Sequence, residues 1–114
     1  MIEETVFENR LNAELVQLKR ALDQANEVAA TVALDQSSVG RLSRTDALMQ
    51  QAMAKGMRDR LLLRQKAIVA ALARIDASTF GQCCQCDADI EPDRLESDPA
   101  TVFCYDCMVE RAAR

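Results

Sequence analysis

Histidine and tryptophan are both absent from this 114-residue chain, and aromatic residues make up only 4% of it. Without histidine, neither a Cys₂His₂ finger nor a histidine-based catalytic site can form. No apolar run approaches the roughly 20 residues of a membrane-spanning helix. No glycine-rich phosphate loop is present either. We therefore expect a protein that is not an enzyme and does not span a membrane.

Glycine and proline are also scarce, with three and two residues, while apolar residues reach 49%. A chain with few aromatics and few helix breakers favours long helices over a thick globular core. The residues present point the same way. Phe7, Leu11, Leu15, Leu18, Leu22, Ala25, Ala29 and Val32 recur at steps of three and four, and Met53, Met57, Leu61, Ile68, Leu72 and Ile75 form a second stripe. This spacing is typical of a helical coiled coil.

Four of the five cysteines form two CxxC pairs: Cys83 with Cys86, then, after seventeen residues, Cys104 with Cys107. This spacing is that of a four-thiolate zinc site. Zinc prefers four tetrahedral ligands, so four protein sulfurs leave no open position for water or substrate. We predict one structural Zn²⁺ and no catalytic metal.

Two other uses of the cysteines remain open. Paired disulfides would suit an exported domain, but the first residues are acidic and contain no apolar segment, so we expect no signal peptide and a cytoplasmic location. A redox CxxC motif would need a βαβ context that is lacking here. Cys84, the fifth cysteine, is interpreted as a spare thiol.

Charge is unevenly distributed along the chain. Residues 1–40 hold seven acidic and three basic residues (net −4), residues 41–76 hold eight basic and three acidic (net +5), and residues 77–114 hold eight acidic and three basic (net −5). DNA affinity depends on Lys and Arg displacing counterions from phosphates. The acidic cysteine-rich segment therefore argues against specific DNA binding.

The predicted fold is mostly α: a long antiparallel two-helix coiled-coil hairpin, a small four-cysteine zinc finger and a short C-terminal helix. The predicted domains are the hairpin, residues 1–79, and the finger, residues 80–114. Serines and Gly40 mark the hairpin tip, at about residues 35–45. Ser43 is the expected N-cap of the second helix, with Asp46 three residues on. We expect a monomer, with dimerisation into a four-helix bundle as the alternative.

Some residues have two interpretations. Met49, Met53 and Met57 step by four along one face; we expect them in the core, although an adaptable partner surface is the alternative. Arg94 is expected to form hydrogen bonds within the finger. Phe103 and Tyr105 are expected to cover the metal.

The order Phe80-Gly81-x-Cys83-x-x-Cys86, then Ile90, Arg94-Leu95, Pro99 and Cys104-x-x-Cys107, resembles the zinc finger of the DksA/TraR family of bacterial transcription factors. The hairpin upstream, acidic then basic, is similar to the family's architecture. The resemblance implies a transcription regulator that binds RNA polymerase instead of promoter DNA. The coiled coil would enter the secondary channel, with the tip directed at the active centre.

The resemblance also implies which residues act at the tip: Asp35, Ser37, Ser38, Arg41, Ser43, Arg44 and Asp46. Several family members act with ppGpp. The well-known members carry two aspartates at the tip where this chain has Gly40 and Ser43, which argues against ppGpp dependence here. A further departure is Asp87, which stands where the family has glycine. The alternatives are a zinc-ribbon protein that binds nucleic acid and a thiol or zinc sensor that uses Cys84.

Overall fold

The computed structural model describes residues 3–36 and 41–113, with side chains for residues 3–28, 30 and 45–113. It contains two long helices, α1 (Glu4–Gln36) and α2 (Arg41–Asp76), followed by two short ones, α3 (Pro92–Ser97) and α4 (Tyr105–Ala112). The only β pairing among the described residues is an isolated antiparallel bridge between Gln82 and Asp89. The predicted mostly helical fold is confirmed.

The chain divides into two compact units. One comprises residues 1–15 and 66–114, and the other comprises residues 16–65. Because the start of α1 shares a unit with the end of α2, the two helices run antiparallel, as predicted. No helix in the described part of the chain is long and apolar enough to cross a bilayer.

The apolar stripe predicted on α1 is confirmed where side chains are described. Phe7, Leu11, Leu18, Leu22 and Ala25 are all buried, with Leu11 wholly excluded from solvent. Ala29 and Val32 lie outside the described side chains. These positions recur every three or four residues, so they share one helix face.

The stripe on α2 follows the prediction from Leu61 to Ile75, where Leu72 is half-buried as well, and differs from it at the methionines. Ala47, Ala54, Leu61, Ile68 and Ile75 recur every seven residues and are buried or half-buried. A seven-residue repeat is the coiled-coil pattern. Two of its members are alanines, which carry less hydrophobic signal than the neighbouring methionines, and this is why the prediction selected the wrong face in residues 47–57.

The methionine stripe is exposed. Met49, Met53 and Met57 keep 59%, 71% and 53% of their surface accessible, so the expectation that they form core was wrong. They lie on α2 beside the alanines that face α1. The alternative interpretation, an adaptable contact surface, is compatible with this exposure.

The second helix also begins earlier than predicted. It includes Arg41, so Ser43 lies inside its first turn instead of capping it. The short terminal helix, expected from Cys107 onward, begins at Tyr105. Arg41 lies three residues before Arg44, the first helical residue that an N-cap at Ser43 implies, and α4 starts two residues before Cys107.

Ile68 offers a test of the helical core, since its side chain is completely buried whereas the adjacent Val69 is 51% exposed. Ile68→Ala should lower the free energy of unfolding by about 2–5 kcal/mol, because it removes buried methyl groups and leaves a cavity. Val69→Ala, the control, should change it by less than about 0.5 kcal/mol. Urea denaturation followed by far-UV circular dichroism measures both. Equal losses would contradict the assigned core face.

Candidate metal centre

The four predicted ligands converge in three dimensions. The sulfurs of Cys83, Cys86, Cys104 and Cys107 all lie within 4.8 Å of one another. The Sγ atoms of Cys86 and Cys104 are 3.7 Å apart. A tetrahedral zinc site with Zn–S bonds of about 2.3 Å requires sulfurs about 3.8 Å apart. The donor set and its spacing therefore fit one structural Zn²⁺.

A tight turn of the backbone presents the first pair of cysteines. The Cys83 N–H donates to the carbonyl of Ala88 (2.7 Å), and the Asp87 N–H donates to the carbonyl of Cys83 (3.0 Å). Asp87 has a φ of 61°, in the left-handed region that favours glycine. Asparagine and aspartate tolerate this region better than most other residues. The chain can thus close the turn with an aspartate at a position whose backbone conformation favours glycine.

The second pair of cysteines begins a helix. Cys104 is the N-cap of α4, with extended backbone, and Cys107 lies in its first turn. The N-terminal end of a helix carries partial positive charge and unpaired N–H groups. The start of α4 therefore fixes the positions of both ligands in the second pair, at a helix end that accommodates metal-bound sulfur.

The surroundings of Cys83 and Cys107 shift the pKa values of these two thiols in opposite directions. Burial of Cys83 disfavours its thiolate, but hydrogen bonds from the backbone N–H groups of Cys104 and Cys86 more than offset burial and lower the pKa of Cys83 to about 6. Burial raises the pKa of Cys107, and its contacts with the other thiols raise it further. Four thiolates this close repel one another, so a divalent cation is the natural means of holding them ionised together.

A second layer of hydrogen bonds centres on Glu91 and Arg94. The Glu91 carboxylate accepts from the backbone N–H of Tyr105 (3.1 Å), at the start of α4. Hydrogen bonds from its own backbone N–H and from that of Tyr105 hold the pKa of Glu91 below its usual range. The Arg94 side chain donates to the carbonyl of Phe103 (3.0 Å), and its Nε lies 3.7 Å from the Glu91 carboxylate. The expectation that Arg94 forms hydrogen bonds within the finger is confirmed.

A small core lies beneath the metal ligands. Phe80, Ile90, Leu95, Pro99 and Ala100 are buried. Four of these positions belong to the motif that suggested a zinc finger. Their burial explains why the motif has apolar residues before and between its cysteine pairs: the segment requires a core as well as a metal.

The cysteine-rich segment also packs against the bases of the long helices. The rings of Phe7 and Phe80 are 5.5 Å apart, and the Arg10 guanidinium donates to the backbone carbonyl of Glu96 (2.9 Å), near the end of α3. A cation at a helix C-terminus is favourable. Sequence analysis missed Arg10, since no local signal marks a partner 86 residues away. Glu91 could have been found from the sequence, because the proline that follows it marks the start of α3 and so identifies Glu91 as the N-cap position.

The other residues singled out in the sequence differ in their exposure to solvent and in whether the structure describes them. Phe103 is half-buried under the Arg111 guanidinium, 4.6 Å from its ring centre, whereas Tyr105 is 55% exposed. Cys84 is exposed. Of the predicted tip residues, Ser37 and Ser38 lie outside the described residues, and Asp46 is exposed. Asp35 belongs to α1, and Arg41, Ser43 and Arg44 belong to α2.

Comparison with known proteins identifies a solved structure that has the same fold. No protein-family model matches the sequence, and no curated protein matches it. Among solved structures, that of the transcription factor DksA2 from Pseudomonas aeruginosa superposes with a TM-score of 0.84. The chain has the fold of DksA2. The superposition covers 96% of this chain and 83% of DksA2, at 15% sequence identity, so the likeness is one of three-dimensional structure.

Zinc removal tests the metal centre. We expect one zinc ion per chain, lost when Cys107→Ser removes a ligand or when a strong chelator is added. Without metal the segment 80–114 should lose its ordered amide signals while α1 and α2 remain helical, because zinc supplies much of a small finger's folding free energy. Metal analysis and two-dimensional NMR measure this. Cys84→Ser is the control and should keep its zinc; retention of zinc by Cys107→Ser would contradict the ligand assignment.

Asp87 tests the turn. Asp87→Gly should remove the strain of the left-handed backbone conformation at this position. The folded finger should become more stable by roughly 0.5–1 kcal/mol, since glycine adopts a positive φ freely. Folding and metal binding are coupled, so zinc affinity should rise about two- to fivefold in a chelator competition.

Asp89→Gly is the matched control, because Asp89 is not among the positive-φ residues of the described chain. It should leave zinc affinity unchanged or lower it. An equal gain from both substitutions would show that backbone strain at Asp87 is not the cause.

Proposed function

We propose that this protein is a transcription regulator that binds bacterial RNA polymerase through the secondary channel. In this proposal residues 35–46 form the tip and are directed at the active centre. The observation that carries the proposal is the likeness to the transcription factor DksA2 over 96% of the chain. The four-thiol cluster within that fold adds support.

The charge of the finger favours a protein partner over DNA. Residues 77–114 carry a net charge of −5. Four thiolates with one Zn²⁺ add about −2 to this, because each bound sulfur is deprotonated. A phosphate backbone would be repelled by such a surface. We therefore propose that regulation proceeds without specific DNA binding.

The proposal assigns the metal a structural task only. Four sulfurs occupy all the positions of a tetrahedral zinc ion, so zinc would hold the finger together without activating a substrate. We propose no catalytic activity. We place the protein in the cytoplasm, with its polymerase, and the absence of the family's tip aspartates suggests action independent of ppGpp.

Binding to purified bacterial RNA polymerase tests the partner. The zinc-loaded protein should bind the core enzyme, and a known secondary-channel factor should displace it. Binding that survives a saturating amount of competitor would place the protein elsewhere on polymerase. A salt-sensitive mobility shift with bare DNA would favour the nucleic-acid alternative, and peroxide-driven zinc release that depends on Cys84 would favour the sensor.

Substitution at the tip tests the mechanism. The proposed regulator would change the lifetime of promoter complexes. Arg44→Ala should reduce this effect about ten- to a hundredfold, because a charged contact in a desolvated site contributes about 1.5–3 kcal/mol. Lys55→Ala, which removes one positive charge elsewhere on α2, should have little effect. Both variants should remain folded by circular dichroism. Equal activity of Arg44→Ala and the unsubstituted protein would count against a tip-directed mechanism.

A further inference from the structure

One face of α2 carries a symmetric pattern centred on Met53. Met49 and Met57 lie four residues to either side, and Asp46 and Arg60 lie seven residues to either side. At 100° per residue these five positions fall within a sector of about 80° of the helix surface. The three methionines are more than half exposed, and Asp46 and Arg60 are exposed as well.

The pattern is self-complementary. If a second α2 runs antiparallel across this face with a two-fold axis at Met53, then Met53 meets Met53 and Met49 meets Met57. Asp46 of each copy then meets Arg60 of the other. A two-fold interface requires this reciprocity, in which the same patch serves both partners. We propose that the face binds a second copy of this chain, forming an antiparallel dimer through α2.

A groove beside the methionines provides space for the second copy. It has a volume of about 580 Å³ and lies between α1 and α2. Ala21, Ala25 and Val28 line it from α1, and Met53 and Met57 line it from α2. Three of the four α1 residues that line the groove, all except Gln24, are alanine or valine. They leave room for a second helix to approach, and the flexible methionines can fill the remaining gaps.

Gly56 is a second observation that favours a close partner. Glycine inside a helix is unfavourable compared with alanine. Among the described residues, a Cβ built on Gly56 would meet only Arg60 Nη1, at an ordinary contact distance of 3.6 Å, so no described neighbour requires glycine here. Gly56 lies on the same side of α2 as Met49, Met53 and Arg60. A glycine there lets the backbone of a second helix come close.

The proposed dimer has a consequence for regulation, which rests on the proposed function. It would cover Asp46, one of the residues assigned to the tip. A dimer would also present four long helices side by side where a single copy presents two. The dimer and the polymerase-bound form would then be mutually exclusive. Self-association would store the protein in an inactive form at high concentration.

Sedimentation across a wide range of concentration tests the proposal. The mass should rise from 12.6 kDa toward twice that value. Arg60→Asp should weaken the dimer about tenfold or more, since two ion pairs become two like-charge contacts. The charge-swapped double variant Asp46→Arg with Arg60→Asp should restore it. The two residues lie fourteen positions apart on one helix, about 21 Å, so restoration requires contact between chains.

A disulfide at the axis locates the interface. Met53→Cys, in zinc-loaded protein that also carries Cys84→Ser, should form a disulfide-linked dimer on mild oxidation. Leu48→Cys is the matched control: Leu48 is 57% exposed but lies on another side of α2, so it should not cross-link. A protein that stays monomeric at every concentration would overturn the proposal. So would a dimer unaffected by Arg60→Asp, or equal cross-linking of the two cysteine variants.

Discussion

The finger, and its packing against the bases of the long helices, depends on the convergence of four thiols in a space less than 5 Å across. Four thiolates repel one another there, and four neutral thiols give little cohesion. A divalent cation resolves this conflict, because it binds all four sulfurs in their ionised form. The surrounding chain is arranged to the same end: backbone N–H groups lower the pKa of Cys83, and α4 directs its N-terminal end at the second cysteine pair.

The metal-bearing segment and the bases of the long helices share one compact unit. The rings of Phe7 and Phe80 contact each other at a tilt of 38°, and Arg10 donates a hydrogen bond to the carbonyl of Glu96 near the end of α3. These contacts join residues far apart in sequence, so zinc binding and packing of the helix bases should support each other. The seam between α1 and α2 is simpler, since it follows from the repeat of apolar residues and needs no metal.

The sequence predicts features that residue spacing determines. It does not predict which of two apolar helix faces is buried, or which residues far apart in the chain are in contact. The cysteine pairs and the stripe on α1 were predictable because spacing alone defines them. The part of the α2 stripe in residues 47–57 was not, because exposed methionines score as strongly hydrophobic whereas the buried Ala47 and Ala54 do not. The capping prediction at Ser43 followed a valid local rule, but α2 extends past it. Arg10 and Glu96 lie too far apart in sequence for any pattern to connect them.

The proposed mechanism requires the tip between α1 and α2 to be directed at the polymerase active centre. Photo-crosslinking tests this requirement, with a crosslinking amino acid at position 38 and, for comparison, at position 93 in the finger. We expect position 38 to cross-link to polymerase segments lining the secondary channel near the active centre, and position 93 not to do so. Cross-links from position 38 only to the outer surface of polymerase, or to promoter DNA, would contradict it.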